Sequence, residues 1–125
     1  MNVAEIVSEL EEKYPGKNIV LNKDKEGVVV EIICEVIRDS DFSWAIGVID
    51  HSPAHFHKKL VETYKVTKGE LLVTLDGKEH RIKEGGFVTI QPNTVHSNDG
   101  NETWDRRDQP PRLDIRGPYS CLISP

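Results

Sequence analysis

His55-Phe56-His57-Lys58-Lys59-Leu60-Val61-Glu62 is the stretch on which the reading of this chain turns. Two histidines one residue apart face the same side of a β-strand, because side chains alternate along it. Imidazole nitrogens with a carboxylate nearby suit divalent Zn, Mn, Fe, Co or Ni. Downstream, Gln91-Pro92-Asn93-Thr94-Val95 leads into a further histidine, His96.

The residues around this stretch read as strands. Residues 28–38 are rich in β-branched side chains and long enough to bend or bulge midway. Residues 44–50 and 61–66 follow, the latter alternating so that Glu62, Tyr64 and Val66 share a face. Residues 70–75 and 78–83 flank Asp76-Gly77, a strong signal for a two-residue type I′ hairpin. Glu84-Gly85-Gly86 marks the next turn, residues 87–90 the next strand, and residues 113–115 and 119–123 the closing strands. Many short strands with regular turns predict an all-β sandwich or barrel. Before them, Asn2 and Glu5 form a capping box, and Val3, Ile6, Val7, Leu10 and Tyr14 share one helical face up to Pro15-Gly16. That amphipathic helix is expected to cover a sheet or a dimer contact. The whole, residues 1–125, reads as one domain: a helical segment 1–16 and a barrel over 27–125.

Residues 97–112 are polar, contain Pro110-Pro111, and hold Trp104 as their one large apolar side chain. They read as a long loop, either solvated surface or a lid beside His96.

The spacing of the histidines resembles the cupin superfamily. The first cupin motif is HxH, three or four residues, Glu, six residues, Gly; here His55 and His57 are followed by four residues, Glu62, six residues and Gly69. In the second motif Gly85 precedes five residues and then Gln91-Pro92-Asn93-Thr94-Val95-His96, with Asn93 where glycine is usual. Asn tolerates the left-handed conformation that glycine would serve. Gly47 lies upstream, two residues further from the HxH pair than the usual pattern. The resemblance implies a double-stranded β-helix, a jelly-roll barrel, with one divalent metal held by His55, His57, Glu62 and His96. Three neutral imidazoles and one carboxylate leave two positions of an octahedral ion for substrate or water. Residues 55–64 are also loosely similar to the single-domain cupins grouped with mannose-6-phosphate isomerases.

Three functions follow as expectations: a metal-dependent enzyme on a small polar substrate, with sugar isomerisation as one chemistry; a non-haem iron dioxygenase; or a small-molecule binding module without turnover. Tyr64, Gln91 and Trp104 are the expected pocket residues. His51 reads as a surface turn residue or an acid/base group, His80 as solvent-facing, and Lys58, Lys59 and Lys65 as a charged face that could attract an anion.

The remaining features narrow the class. The net charge is −5 with both signs interspersed, so no basic stripe predicts nucleic acid. Residues 1–13 hold four glutamates and no apolar run, unlike a signal or transit peptide, and no segment approaches a membrane span. Cys34 and Cys121 lack CxxC companions and read as buried thiols of a cytoplasmic protein. A homodimer is the expected assembly, since pairing would cover open strand edges.

Overall fold

The computed structural model describes residues 1–39, 42–109 and 121–123. Helix α1 (Val3–Lys13) opens the chain. Nine strands follow among the described residues: β1 (Asn18–Lys23), β2 (Val29–Arg38), β3 (Ser43–His55), β4 (Glu62–Lys68), β5 (Glu70–Leu75), β6 (Lys78–Lys83), β7 (Phe87–Ile90), β8 (His96–Gln109) and β9 (Cys121–Ile123). All described pairings are antiparallel, in the order β1-β2-β3-β8-β4-β7-β9, with β5 joining β8 to β6. The fold is all-β with one short helix, as the turn and strand pattern predicts, and is consistent with a double-stranded β-helix.

The helix starts where its cap signals place it. Asn2 Oδ1 accepts from the Glu5 amide at 3.3 Å, and Asn2 Nδ2 donates to Glu5 Oε2 at 2.8 Å. Its apolar face covers the sheet: Ile6 and Leu10 are buried against Ile32, Cys34, Ile46 and Val48, with Trp44 and Trp104 at the margin. Along β2 and β3 the alternate residues face the other way. Ile33 pairs with Gly47 and Glu31 with Ile49. Ile49 belongs to a second apolar cluster with Tyr64, Val66, Leu71, Val73, Leu75, Ile82, Val88 and Ile90, which fills the barrel. The period of two thus separates a helix-covered outer face from a barrel interior.

The hairpin is as expected: β5 pairs β6 across Asp76-Gly77, both at positive φ (46° and 84°). Strand β2 carries its expected irregularity, a register shift between Glu35 and Ile37.

Four expectations need correction or restriction. The sheet begins at Asn18 rather than near residue 27, because β1 pairs in register with β2. Strand β3 runs on from residue 50 to His55. The segment read as a loop or lid from residue 97 is β8 as far as Gln109, and residues 110–112 lie outside the described residues. β8 is the central strand, bonded to β3 on one edge and to β4 and β5 on the other, so its backbone groups are satisfied without an apolar sequence. Its inward side chains Asn98, Thr103, Asp105 and Arg107 are buried but polar, which hides the usual alternation. Of the closing strands, residues 113–115 and 119–120 also lie outside the described residues, while Cys121–Ile123 pairs with β7.

Gly47 makes room for Arg107, the most buried cationic side chain among the described residues. A Cβ there would overlap Arg107 Nη2 and lie 2.6 Å from both Cζ and Nε of that side chain. Arg107 is held by carboxylates and cannot swing away. Gly47→Ala is therefore expected to cost about 1–3 kcal/mol, read as a fall in the urea midpoint. An unchanged midpoint would show that the guanidinium is free to move.

Candidate metal centre

Three strand ends and one connection meet at one mouth of the barrel. His55 is the last residue of β3 and pairs across the sheet with His96, the first residue of β8. His57 lies two residues beyond the end of β3, and Glu62 begins β4. The turn before His96 is tied to the HxH segment, because the Asn93 amide donates to the His57 carbonyl at 2.7 Å. Asn93 has φ 66°, the left-handed conformation expected of it.

The ligand atoms of His55, His57 and His96 lie within 4.8 Å of one another. The rings of His55 and His96 are 4.1 Å apart between centroids. Their tautomers follow from the hydrogen bonds. His55 Nδ1 lies 2.8 Å from the Pro53 carbonyl and His96 Nδ1 lies 3.1 Å from the Thr94 carbonyl. A carbonyl only accepts, so each Nδ1 carries the proton and each Nε2 keeps its lone pair. Burial, the largest influence, pushes the His96 pKa down; the Thr94 bond opposes this and the His55 charge reinforces it. A lowered pKa favours the neutral form that can bind a metal.

Glu62 faces these imidazoles. Its Oε1 is 3.9 Å from both His57 Nε2 and His96 Nε2, too far for a hydrogen bond. Oε1 of Glu62 and Nε2 of His96 are both buried and without a hydrogen-bond partner. Two buried lone pairs directed at one another are costly unless a cation lies between them. The other oxygen, Oε2, accepts from Gln109 Nε2 at 2.9 Å. Burial alone would raise the Glu62 pKa. The Arg107 charge, hydrogen bonds from Tyr64 and Gln109, and the His57 charge outweigh it and hold the carboxyl below its ordinary range.

Behind Glu62 lies a buried ion network. Arg107 Nη2 donates to Glu31 Oε2 at 2.7 Å, and Arg107 Nε donates to Asp105 Oδ1 at 2.9 Å. The guanidinium stacks 4.8 Å from the Tyr64 ring centroid. Two buried carboxylates, Glu31 and Asp105, thus share one buried guanidinium, whose charge also acts on buried Glu62. Burial raises the Asp105 pKa despite the opposing Arg107 charge.

Glu31, Glu62, Tyr64 and Arg107 border a cavity of about 490 Å³, whose walls also include His51, His55, His57 and Gln109. A smaller recess of about 240 Å³ shares Glu62, Arg107 and Gln109. Of the expected pocket residues, Tyr64 lines the larger cavity. Gln91 is buried but lines neither, and Trp104 packs on the helix-covered face beneath Lys13. Trp104 neighbours inward Thr103 and Asp105, so the strand turns it outward. His51 lines the cavity, and its Nδ1 donates to Asp99 Oδ1 at 2.7 Å. His80 sits in the β5–β6 hairpin, and Lys58, Lys59 and Lys65 are exposed; none of the four borders either cavity.

The sequence reading passed over Glu31, Asp105, Arg107 and Gln109. The period-two run Thr103, Asp105, Arg107, Gln109 could have revealed the last three of these, though not Glu31, as one face of a polar strand.

Residues 45–103 match a family described as "Cupin domain". No curated protein matches the chain by sequence. Among solved structures, KdgF from Halomonas sp. superposes with a TM-score of 0.61 at 19% identity, covering 67% of this chain and 82% of that one. A cupin 2 conserved barrel domain protein from Rhodopseudomonas palustris gives 0.64 at 15% identity, covering 76% and 72%. A Streptomyces nucleoside dehydratase gives 0.65 at 14%, covering 89% and 87%. Likeness at these identities speaks to the fold alone. The chain thus carries a match to the cupin domain over residues 45–103 and shares its barrel fold with these structures.

Proposed function

We propose that the chain is a metal-dependent enzyme that acts on a small polar substrate. His55, His57, Glu62 and His96 hold one divalent Fe, Mn, Zn, Ni or Co ion. The observation that carries this reading is the pair of buried, partnerless acceptors Glu62 Oε1 and His96 Nε2, 3.9 Å apart. The ion would polarise a carbonyl or hydroxyl oxygen of the substrate as a Lewis acid.

The cavity suits such a substrate. Its walls carry polar and charged groups from β1, β2, β3, β4 and β8, including Asn22, Lys23, Ser52 and Gln109. His51 is the residue we assign to proton transfer. Asp99 occupies its Nδ1, so Nε2 is the ring nitrogen left to meet a substrate. A group that moves protons suits aldose–ketose isomerisation, and it favours that chemistry over a non-haem iron dioxygenase or a binding module without turnover.

The test begins with elemental analysis of protein purified without added metal, followed by sugar turnover with and without oxygen. Near-stoichiometric metal and oxygen-independent turnover are expected. Iron together with oxygen consumption would replace the isomerase reading with the dioxygenase. His51→Gln is expected to keep its metal and to lose about 100-fold or more in rate. A rate within threefold of the parent would remove His51 from the chemistry.

A further inference from the structure

The two oxygens of Glu62 are treated differently by the fold. Oε2 is tied to Gln109 Nε2 at 2.9 Å, while Oε1 has no partner and faces His57 and His96 at 3.9 Å. The neighbouring Tyr64 side chain, buried in the same wall, also favours the charged form of this carboxylate. A carboxylate is acceptor-only, so the amide nitrogen of Gln109 must be the group facing it. We propose that Gln109 is a positioning residue for the metal: it restrains Glu62 to bind through Oε1 alone, leaving the cavity side of the ion for substrate. This rests on the metal-dependent reading above.

The physical argument is one of competition. A carboxylate can hold a cation through one oxygen or both. Binding through both would require Oε2 to give up its Gln109 bond and turn toward the ion. A hydrogen bond to a charged group contributes about twice a neutral one, so the one-oxygen arrangement is favoured while Gln109 is present. Gln109 reaches this point because β8 pairs with both neighbours of the site. It lies opposite Ser43 on β3, and the adjacent Asp108 lies opposite Thr63 on β4, one residue after Glu62. Gln109 also forms part of the wall of both recesses, so the same side chain that aims the ligand borders the space a substrate would fill.

Co(II) serves as the probe, because its visible absorption reports coordination number and its affinity can be measured against a chelator. Gln109→Leu removes the donor at nearly constant size, and Tyr64→Phe removes only the hydroxyl. Gln109→Leu is expected to weaken Co(II) about tenfold, the lower end for a lost outer partner, and to shift the absorption toward higher coordination. Tyr64→Phe should act in the same direction with a smaller effect. Circular dichroism checks that each variant is folded, and Gln109→Asn supplies a second variant that keeps the amide on a shorter stem. Unchanged affinity and an unchanged spectrum in folded Gln109→Leu would overturn the positioning role while leaving the metal reading intact. If the parent protein takes up no Co(II), the metal reading itself fails, and this proposal with it.

Discussion

His57→Ala is expected to purify with little of the metal that the parent carries. On the proposed assignment the substitution removes one of four donors to the ion, and its effect should exceed the about 10–100-fold that loss of an outer hydrogen-bond partner produces. His57 is the clean position for this test. It lies outside the strands, and its side chain is about a third exposed, whereas that of His96 is fully buried. Truncating His96 would also open a cavity and confuse metal loss with unfolding. His80→Ala is the control, since His80 sits in the β5–β6 hairpin and pairs across it with Val73. Elemental analysis of the three proteins decides the matter. Full occupancy in His57→Ala, or loss in His80→Ala, would move the centre elsewhere.

Arg107→Met should be the most destabilising single change in the barrel. It leaves Glu31 and Asp105 buried without their common partner, and removes the positive charge beside Glu62. Breaking a buried ion pair by deleting one partner costs about 3–5 kcal/mol. With a urea m-value of about 2 kcal/mol/M, the midpoint should fall by roughly 2 M. The cost comes from stranded charge rather than lost attraction, so Glu31→Gln and Asp105→Asn added to Arg107→Met should restore part of it. A midpoint within 0.5 M of the parent, on the order of 1 kcal/mol at that slope, would show that water already reaches the network.

The clustered histidines and the residues proposed to hold a metal with them were legible because their signal is local. HxH spacing, the interval to Glu62 and the Gly85-to-His96 turn are all short-range features, and a strand or tight turn imposes the same geometry wherever it occurs. The hairpin at Asp76-Gly77 and the helix cap at Asn2 were legible for the same reason. The polar wall of the cavity was not. β8 has few apolar side chains, and nothing in its composition distinguishes a central strand from a solvated loop. Its strand character depends on β3, β4 and β5, whose residues are as many as 66 positions away, as Ser43 is from its partner Gln109. Trp104 shows the converse error. As a large aromatic in a polar segment it suggested the mouth of a pocket, but the alternation of β8 turns it toward the helix.

Sequence alone therefore determined the barrel class, the capped helix, and the histidines and carboxylate that could share an ion. Tertiary structure decided how Glu62 divides its two oxygens, which polar residues are buried with Arg107, and that His51 and Asp99 meet beside the cavity. The physical reason is range. Backbone geometry relates residues a few positions apart, whereas an ion pair or hydrogen bond between distant residues exists only after the strands that carry them have paired.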